Sequence, residues 1–281
     1  MFQVEQRGTG VAALRRGGPG LARALHGEWT KLRTLRSTGW LLLGLVVSSV
    51  GVGALTTWSI PTGCLDPEAR CREDIVRIDL AGVYLAQIAV VVLATLAVTA
   101  EYGTQTIRAT LAAAPRRGLV FAAKAIVVTA LVAGTGALGV LGALAAGRPL
   151  LIGNGFTADA GYPPLSPGDG PVVRAAGGTV LYLVLVALLC LGVGLALRHT
   201  PATLATVLTA FYVWPVVASM FTGEWGRWVS KYAPMNAGLS VQATERLDQL
   251  LLRPWPGLGV LAAYAAGCLL AGAILFKARD A

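Results

Sequence analysis

The chain has 281 residues, of which 55% are hydrophobic and only 13% charged, with a mean hydropathy of +0.66. That balance excludes an ordinary soluble globule, in which about a quarter of the residues are charged. The formal charge of +9 raises a nucleic-acid reading, but the basic residues lie in short segments between apolar runs and form no basic domain.

Residues 37–65, 80–100, 125–147, 175–197, 199–223 and 254–276 contain no Asp, Glu, Lys or Arg. Each reaches the roughly 20 residues that carry a helix across a ~30 Å hydrocarbon core. None alternates as the strands of a membrane barrel do. The sequence therefore predicts an all-α membrane protein with six transmembrane helices, at about 40–58, 80–100, 125–146, 175–197, 202–221 and 255–276. Placing the N-terminus in the cytoplasm puts 14 of the 23 basic residues, but only 4 of the 14 acidic ones, on that side. Such a bias is expected of a bacterial inner (plasma) membrane protein with both termini cytoplasmic. The 39 mostly polar residues before the first apolar run argue against a cleavable signal peptide.

In chain order, residues 1–20 read as a flexible tail rich in Gly and Arg. Residues 21–36 read as an amphipathic helix at the inner interface: Leu21, Leu25, Trp29, Leu32 and Leu35 share one side, and Arg23, His26, Thr30, Arg33 and Thr34 the other. Glu28 falls on the apolar side, where a carboxylate needs a partner, so it is expected to meet Lys31, a neighbouring helix or another protein. Span one is bracketed by Trp40 and Trp58. The loop after it holds Asp66 and Pro67, which suit the start of a short helix. It also holds Cys64 and Cys71, for which a disulfide and two free thiols both stand open. Cys190 and Cys268 fall within apolar helices and act as small hydrophobes.

Residues 101–124, between spans two and three, read as a short helix at the inner surface stopped by Pro115, Arg116, Arg117 and Gly118. Gly139 and Ala143 form a packing seam on span three. Five prolines between 147 and 174 predict no long helix there. Spans four and five are joined by little more than Arg198 to Pro201, which makes them an antiparallel pair. Thr200, Thr203, Thr206 and Thr209 spiral round span five, and Pro215 is expected to kink it. Residues 222–254 suit an interfacial or re-entrant helix pair, and Ala263, Gly267 and Ala271 mark a packing seam on span six.

Several chemistries lack their residues. No lysine follows a glycine, so the phosphate-cradling loop of an ATPase is missing and the chain itself is not expected to be an enzyme. His26 and His199 are far apart and predict no metal site. The spans so drawn contain no ionisable side chain, each of which would cost about 2.5 to 3.5 kcal/mol at mid-membrane, and this disfavours a proton-driven carrier.

Two stretches carry a family likeness. GEWTKLRTLRSTGW at 27–40 and AEYGTQTIRATLAAAPRRGLVFAAK at 100–124 resemble the connecting helix and the coupling segment of permease subunits in the type-two ATP-binding-cassette exporter family, actinobacterial type. Glu101, Gly103, Thr104, Pro115, Arg117 and Lys124 match the coupling pattern, while Glu28, Trp29, Lys31 and Arg33 belong to the connecting helix. The resemblance implies a permease without a nucleotide-binding domain, paired with a second permease copy or paralogue and with two cytoplasmic ATPase subunits. ATP and Mg would be bound by those ATPase subunits and no cofactor by this chain. It further implies that Glu101 joins the lever to span two, that Thr104 and Arg108 face the ATPase, and that Pro115 makes the bend. A pathway framed by spans two and five would carry an amphipathic or lipid-like cargo, with Tyr84, Gln87, Thr206 and Tyr212 as candidates to face it. Two other classes stand beside this one: a non-transporting membrane anchor or sensor that recruits a cytoplasmic partner, and an independent secondary carrier that works without an ATPase.

Overall fold

The structure, a computed structural model, describes residues 20–60, 73–103, 117–157, 168–221 and 223–279. The described residues are helical, without strands. Six helices are long and apolar enough to cross a bilayer: Arg36–Ser59, Ile75–Tyr102, Gly118–Gly153, Gly170–Leu197, Thr200–Met220 and Pro254–Leu275. This is the architecture of a multi-pass membrane protein.

Helix α1 (Leu21–Thr34) is divided from α2 (Arg36–Ser59) by the extended backbone of Leu35 alone. A short helix α3 (Ile75–Asp79) and a 3-10 turn (Leu80–Gly82) run into α4 (Val83–Gly103). Asp74 caps α3 by accepting from Arg77 N at 3.2 Å. It also accepts from Thr244 N at 2.5 Å, Thr244 Oγ1 at 2.7 Å and Glu245 N at 3.1 Å, which pins this end of the bundle to the segment before the last span. The helix start expected at Asp66 and Pro67, and the Cys64 and Cys71 pair, lie outside the described residues.

Helix α5 (Arg117–Gly153) overruns the expected span at both ends and contains Pro149. The expected break at 147 is thus corrected to 153. A proline only four residues from a helix end disturbs one last turn, which the neighbouring packing tolerates. Helix α6 (Gly170–Leu197) ends at Arg198, whose left-handed backbone (φ 55°) turns the chain into α7 (Thr200–Leu208). His199 caps α7 by accepting from Ala202 N at 3.4 Å.

Ahead of Pro215 the helix of span five widens into a π-helical turn over Thr209–Val213, which leads into α8 (Trp214–Met220). The wider turn gives room for the proline ring near the Phe211 carbonyl and for its missing N–H. Between spans five and six lie two short helices, α9 (Glu224–Tyr232) and α10 (Pro234–Leu239), with α10 buried and α9 exposing Trp225 and Trp228. Helix α11 (Pro254–Arg279) is the last described element.

Helices α4 and α6 form the centre, with α2 and α5 packed on one side and α7 and α11 on the other. The seam on span three lies where expected: a Cβ at Gly139 would sit 3.0 Å from Ser49 Oγ on α2, and Ala143 is buried. The seam on span six is corrected. Ala263, Gly267 and Ala271 are exposed, while Leu261, Ala265, Cys268 and Gly272 turn toward the bundle, one position further round the helix. The spans are also not free of ionisable groups. Asp79 is 1% exposed at the start of the span-two helix, and Lys124 is 7% exposed inside α5. Both lie just beyond charge-free runs, but their helices are longer than those runs.

Candidate functional site

One end of the bundle holds four charged side chains brought from three helices. Lys124 of α5 places its ammonium 2.7 Å from Glu28 Oε2, 3.0 Å from Glu101 Oε1 and 2.7 Å from the Ala97 carbonyl of α4. An ammonium has three donors, and all three are used. Lys31 lies 2.8 Å from Glu28 Oε1 and 3.0 Å from Glu101 Oε1. Two carboxylates and two ammoniums thus neutralise one another at the joint of α1, α4 and α5.

Burial is uneven across the cluster. The side chains of Glu28, Lys124 and Glu101 are 5%, 9% and 12% exposed, whereas Lys31 is 45% exposed and closes the cluster from outside. Burial by itself would lower the Lys31 ammonium, but hydrogen bonds and charge from Glu28 and Glu101 outweigh it and hold it above its ordinary value. Glu28 is therefore no solvated carboxylate on a rotated helix: it meets Lys31, as its spacing suggests, and also Lys124, 96 positions away.

Around the same end, Thr200 Oγ1 donates to Thr99 Oγ1 at 2.7 Å, and the Arg198 guanidinium stands 5.3 Å over the Tyr102 ring. The last turn of α4 is thereby tied to α1, to α5 and to the turn joining α6 to α7. Of the other residues singled out at this end, Trp29 and Arg33 are exposed on α1. Gly103 ends α4 and Arg117 begins α5. Thr104, Arg108 and Pro115 lie outside the described residues.

Midway along the bundle a second polar group is buried. Tyr182 donates to Gln87 Oε1, Gln87 Nε2 donates to Tyr212 Oη at 2.8 Å and approaches Met235 Sδ at 3.3 Å, and Tyr212 donates to the Tyr84 carbonyl. Gln87 and Tyr182 are fully buried, and the Gln87 amide joins Tyr182 through its oxygen and Tyr212 through its nitrogen. Sequence reasoning missed Tyr182, although a phenol in an apolar span needs a partner and the glutamine of span two was available. Replacing Gln87 with leucine would strand the Tyr182 hydroxyl in the core. We expect a loss of about 1 to 3 kcal/mol, the cost of an unsatisfied buried polar group, read as a lower thermal midpoint, whereas Thr206→Val should leave the midpoint unchanged.

Thr206 is exposed and donates to the Ala202 carbonyl at 2.8 Å. With Leu189, Val193, Phe211, Tyr264 and Cys268 it lines an apolar cavity of about 680 Å³ between α6, span five and α11. The four pathway candidates are thus divided between two places: Tyr84, Gln87 and Tyr212 at the polar group in the core, and Thr206 on the cavity wall.

No group of three or more His, Cys, Asp or Glu suited to a metal occurs among the described residues. No protein-family model matches the chain, and no curated protein is significantly similar to it.

Proposed function

We propose that the chain is the membrane-spanning permease subunit of an ATP-binding-cassette exporter of the bacterial plasma membrane, with both termini cytoplasmic. Two separate ATPase subunits would drive it, and a second permease copy or paralogue would complete the pathway. The observation that carries this reading is the ion cluster. Glu101 and Lys124 stand at the two sides of the segment between α4 and α5, and both bind the same helix, α1. A push on that segment would then move three helix ends together, as a lever requires, instead of bending a loose loop. The cavity on span five, lined mainly by apolar side chains, supports an amphipathic or lipid-like cargo.

The test is copurification with the cytoplasmic ATPase subunits and measurement of ATP hydrolysis in nanodiscs, with and without amphiphiles. Amphiphiles are expected to stimulate hydrolysis. Arg108→Glu is expected to abolish that stimulation; an unchanged response would refute the lever. A second reading, a proton-linked carrier, gains from the buried carboxyl of Asp79 in the span-two helix. Uptake into vesicles containing this chain alone, driven by a pH gradient, would favour it.

A further inference from the structure

The acidic residues at the two ends of α3, Asp74 as its cap and Asp79 as its last residue, have opposite environments. Asp74 accepts four hydrogen bonds and is partly exposed. Asp79, five residues on, is 1% exposed, accepts one hydrogen bond from Thr57 Oγ1 at 3.3 Å, and leaves its buried Oδ2 without a hydrogen-bond partner. It lies at the end of the bundle opposite the ion cluster, where α3 wedges between α2 and α5.

Glycines make this position. A Cβ at Gly147 on α5 would overlap the Asp79 carboxyl, and a Cβ at Gly53 on α2 would strike the Asp79 main-chain oxygen. The 3-10 turn that follows is seated equally closely, since Gly82 packs on the Ser48 and Ser49 carbonyls. Three contacts without side-chain slack therefore clamp α3 around one acidic group.

No cation among the described residues compensates it. Among the described residues Asp79 has no ion pair. On α5 the nearest charged side chain in sequence, Arg148, is exposed, and Lys124 is committed to the opposite end. Helix α2 carries one charged residue, Arg36, at that same distant end. On α3 itself Arg77 is exposed and Asp74 is bound to Thr244 and Glu245. A buried carboxylate with a single weak donor and no counter-charge costs far more than the neutral acid, in which Oδ1 accepts from Thr57 as a carbonyl and Oδ2 is an uncharged hydroxyl.

We propose that Asp79 is a proton-binding site and that its ionisation releases α3 from the seam between α2 and α5. In the closed arrangement the carboxyl carries its proton. As the pH rises, that proton passes to a solvent base, one negative charge remains, and the carboxylate reaches water only by α3 withdrawing from Gly147 and Gly53. The inference goes beyond the exporter reading and does not depend on any ATPase.

Two measurements on the full chain in detergent or nanodiscs test it. Infrared spectra of the unmodified protein are expected to show a protonated-carboxyl band just above the range where exposed carboxyls titrate, about pH 4 to 4.5. The band should disappear at alkaline pH and be missing in Asp79→Asn. Spin labels at positions 77 and 148, both exposed, in a chain whose four cysteines are replaced by alanine, report the α3 to α5 separation. We expect it to lengthen with pH in the Asp79 chain, the ionised-to-protonated ratio changing about tenfold per pH unit, and to stay short in the Asn chain. A band absent throughout, a band unaffected by Asp79→Asn, or an unchanged separation overturns the proposal. If the Asn variant does not fold, the infrared titration of the unmodified protein and the separation in the labelled Asp79 chain still decide it. Neither measurement involves nucleotide or ATPase, so failure here leaves the exporter reading standing.

Discussion

Replacing Lys124 with methionine is expected to destabilise the protein by about 3 to 5 kcal/mol, the range seen when one partner of a buried ion pair is removed. The reason is local. Lys124 neutralises Glu28 and Glu101 at once and also satisfies the Ala97 carbonyl, so its loss leaves two nearly buried carboxylates with only the half-exposed Lys31 between them. Thermal unfolding of the purified protein measures the effect. The double variant Lys124→Met with Glu28→Gln removes one of the stranded charges, and it should recover part of the loss. If the single variant melts like the parent, the cluster is not a structural joint, and the mechanical argument for the α4 to α5 segment loses its basis.

The second large effect is expected from one methyl group. Gly192 of α6 meets the α11 backbone directly: an added Cβ would collide with the main chain of Cys268 and Leu269. Backbone cannot rotate away as a side chain can, so Gly192→Ala should force α6 and α11 apart at a cost of about 3 kcal/mol, the upper part of the overpacking range. Gly272 makes the reciprocal contact, because a Cβ there would sit 2.6 Å from the Gly192 carbonyl. Gly267→Ala is the matched control, since nothing lies within 4 Å of a Cβ at that position. A lower thermal midpoint for Gly192→Ala beside an unchanged one for Gly267→Ala identifies the seam; the reverse pattern would place the contact face where residue spacing alone suggested it.

Residues that had to be charged in an apolar setting were legible from the chain, while their partners were only partly so. Glu28 stood out as a carboxylate on the apolar side of an amphipathic helix, and Lys31, three positions away, was within reach by helical spacing. Lys124, 96 positions away, came from another helix, and no local rule connects the two. Asp79 was missed for a related reason. It bounds a charge-free run, and such a run ends at its first charge whether or not the helix does. Helix α3 and its 3-10 turn continue the span through Asp79, because Gly53, Gly82 and Gly147 let backbone and carboxyl approach closely.

Amino-acid order alone determined that the chain is helical, that it has six runs able to cross a bilayer, and where span five departs from a regular α-helix. These follow from the apolar length of each run and from the covalent limits of proline, both properties of a segment by itself. Tertiary structure decided which face of each span packs, which distant charges neutralise one another, and which acidic residue of α3 is bonded and which is sealed. In helices as rich in small residues as α11, adjacent positions offer equally good seams, so the choice rests on close backbone contacts made by residues from other parts of the chain.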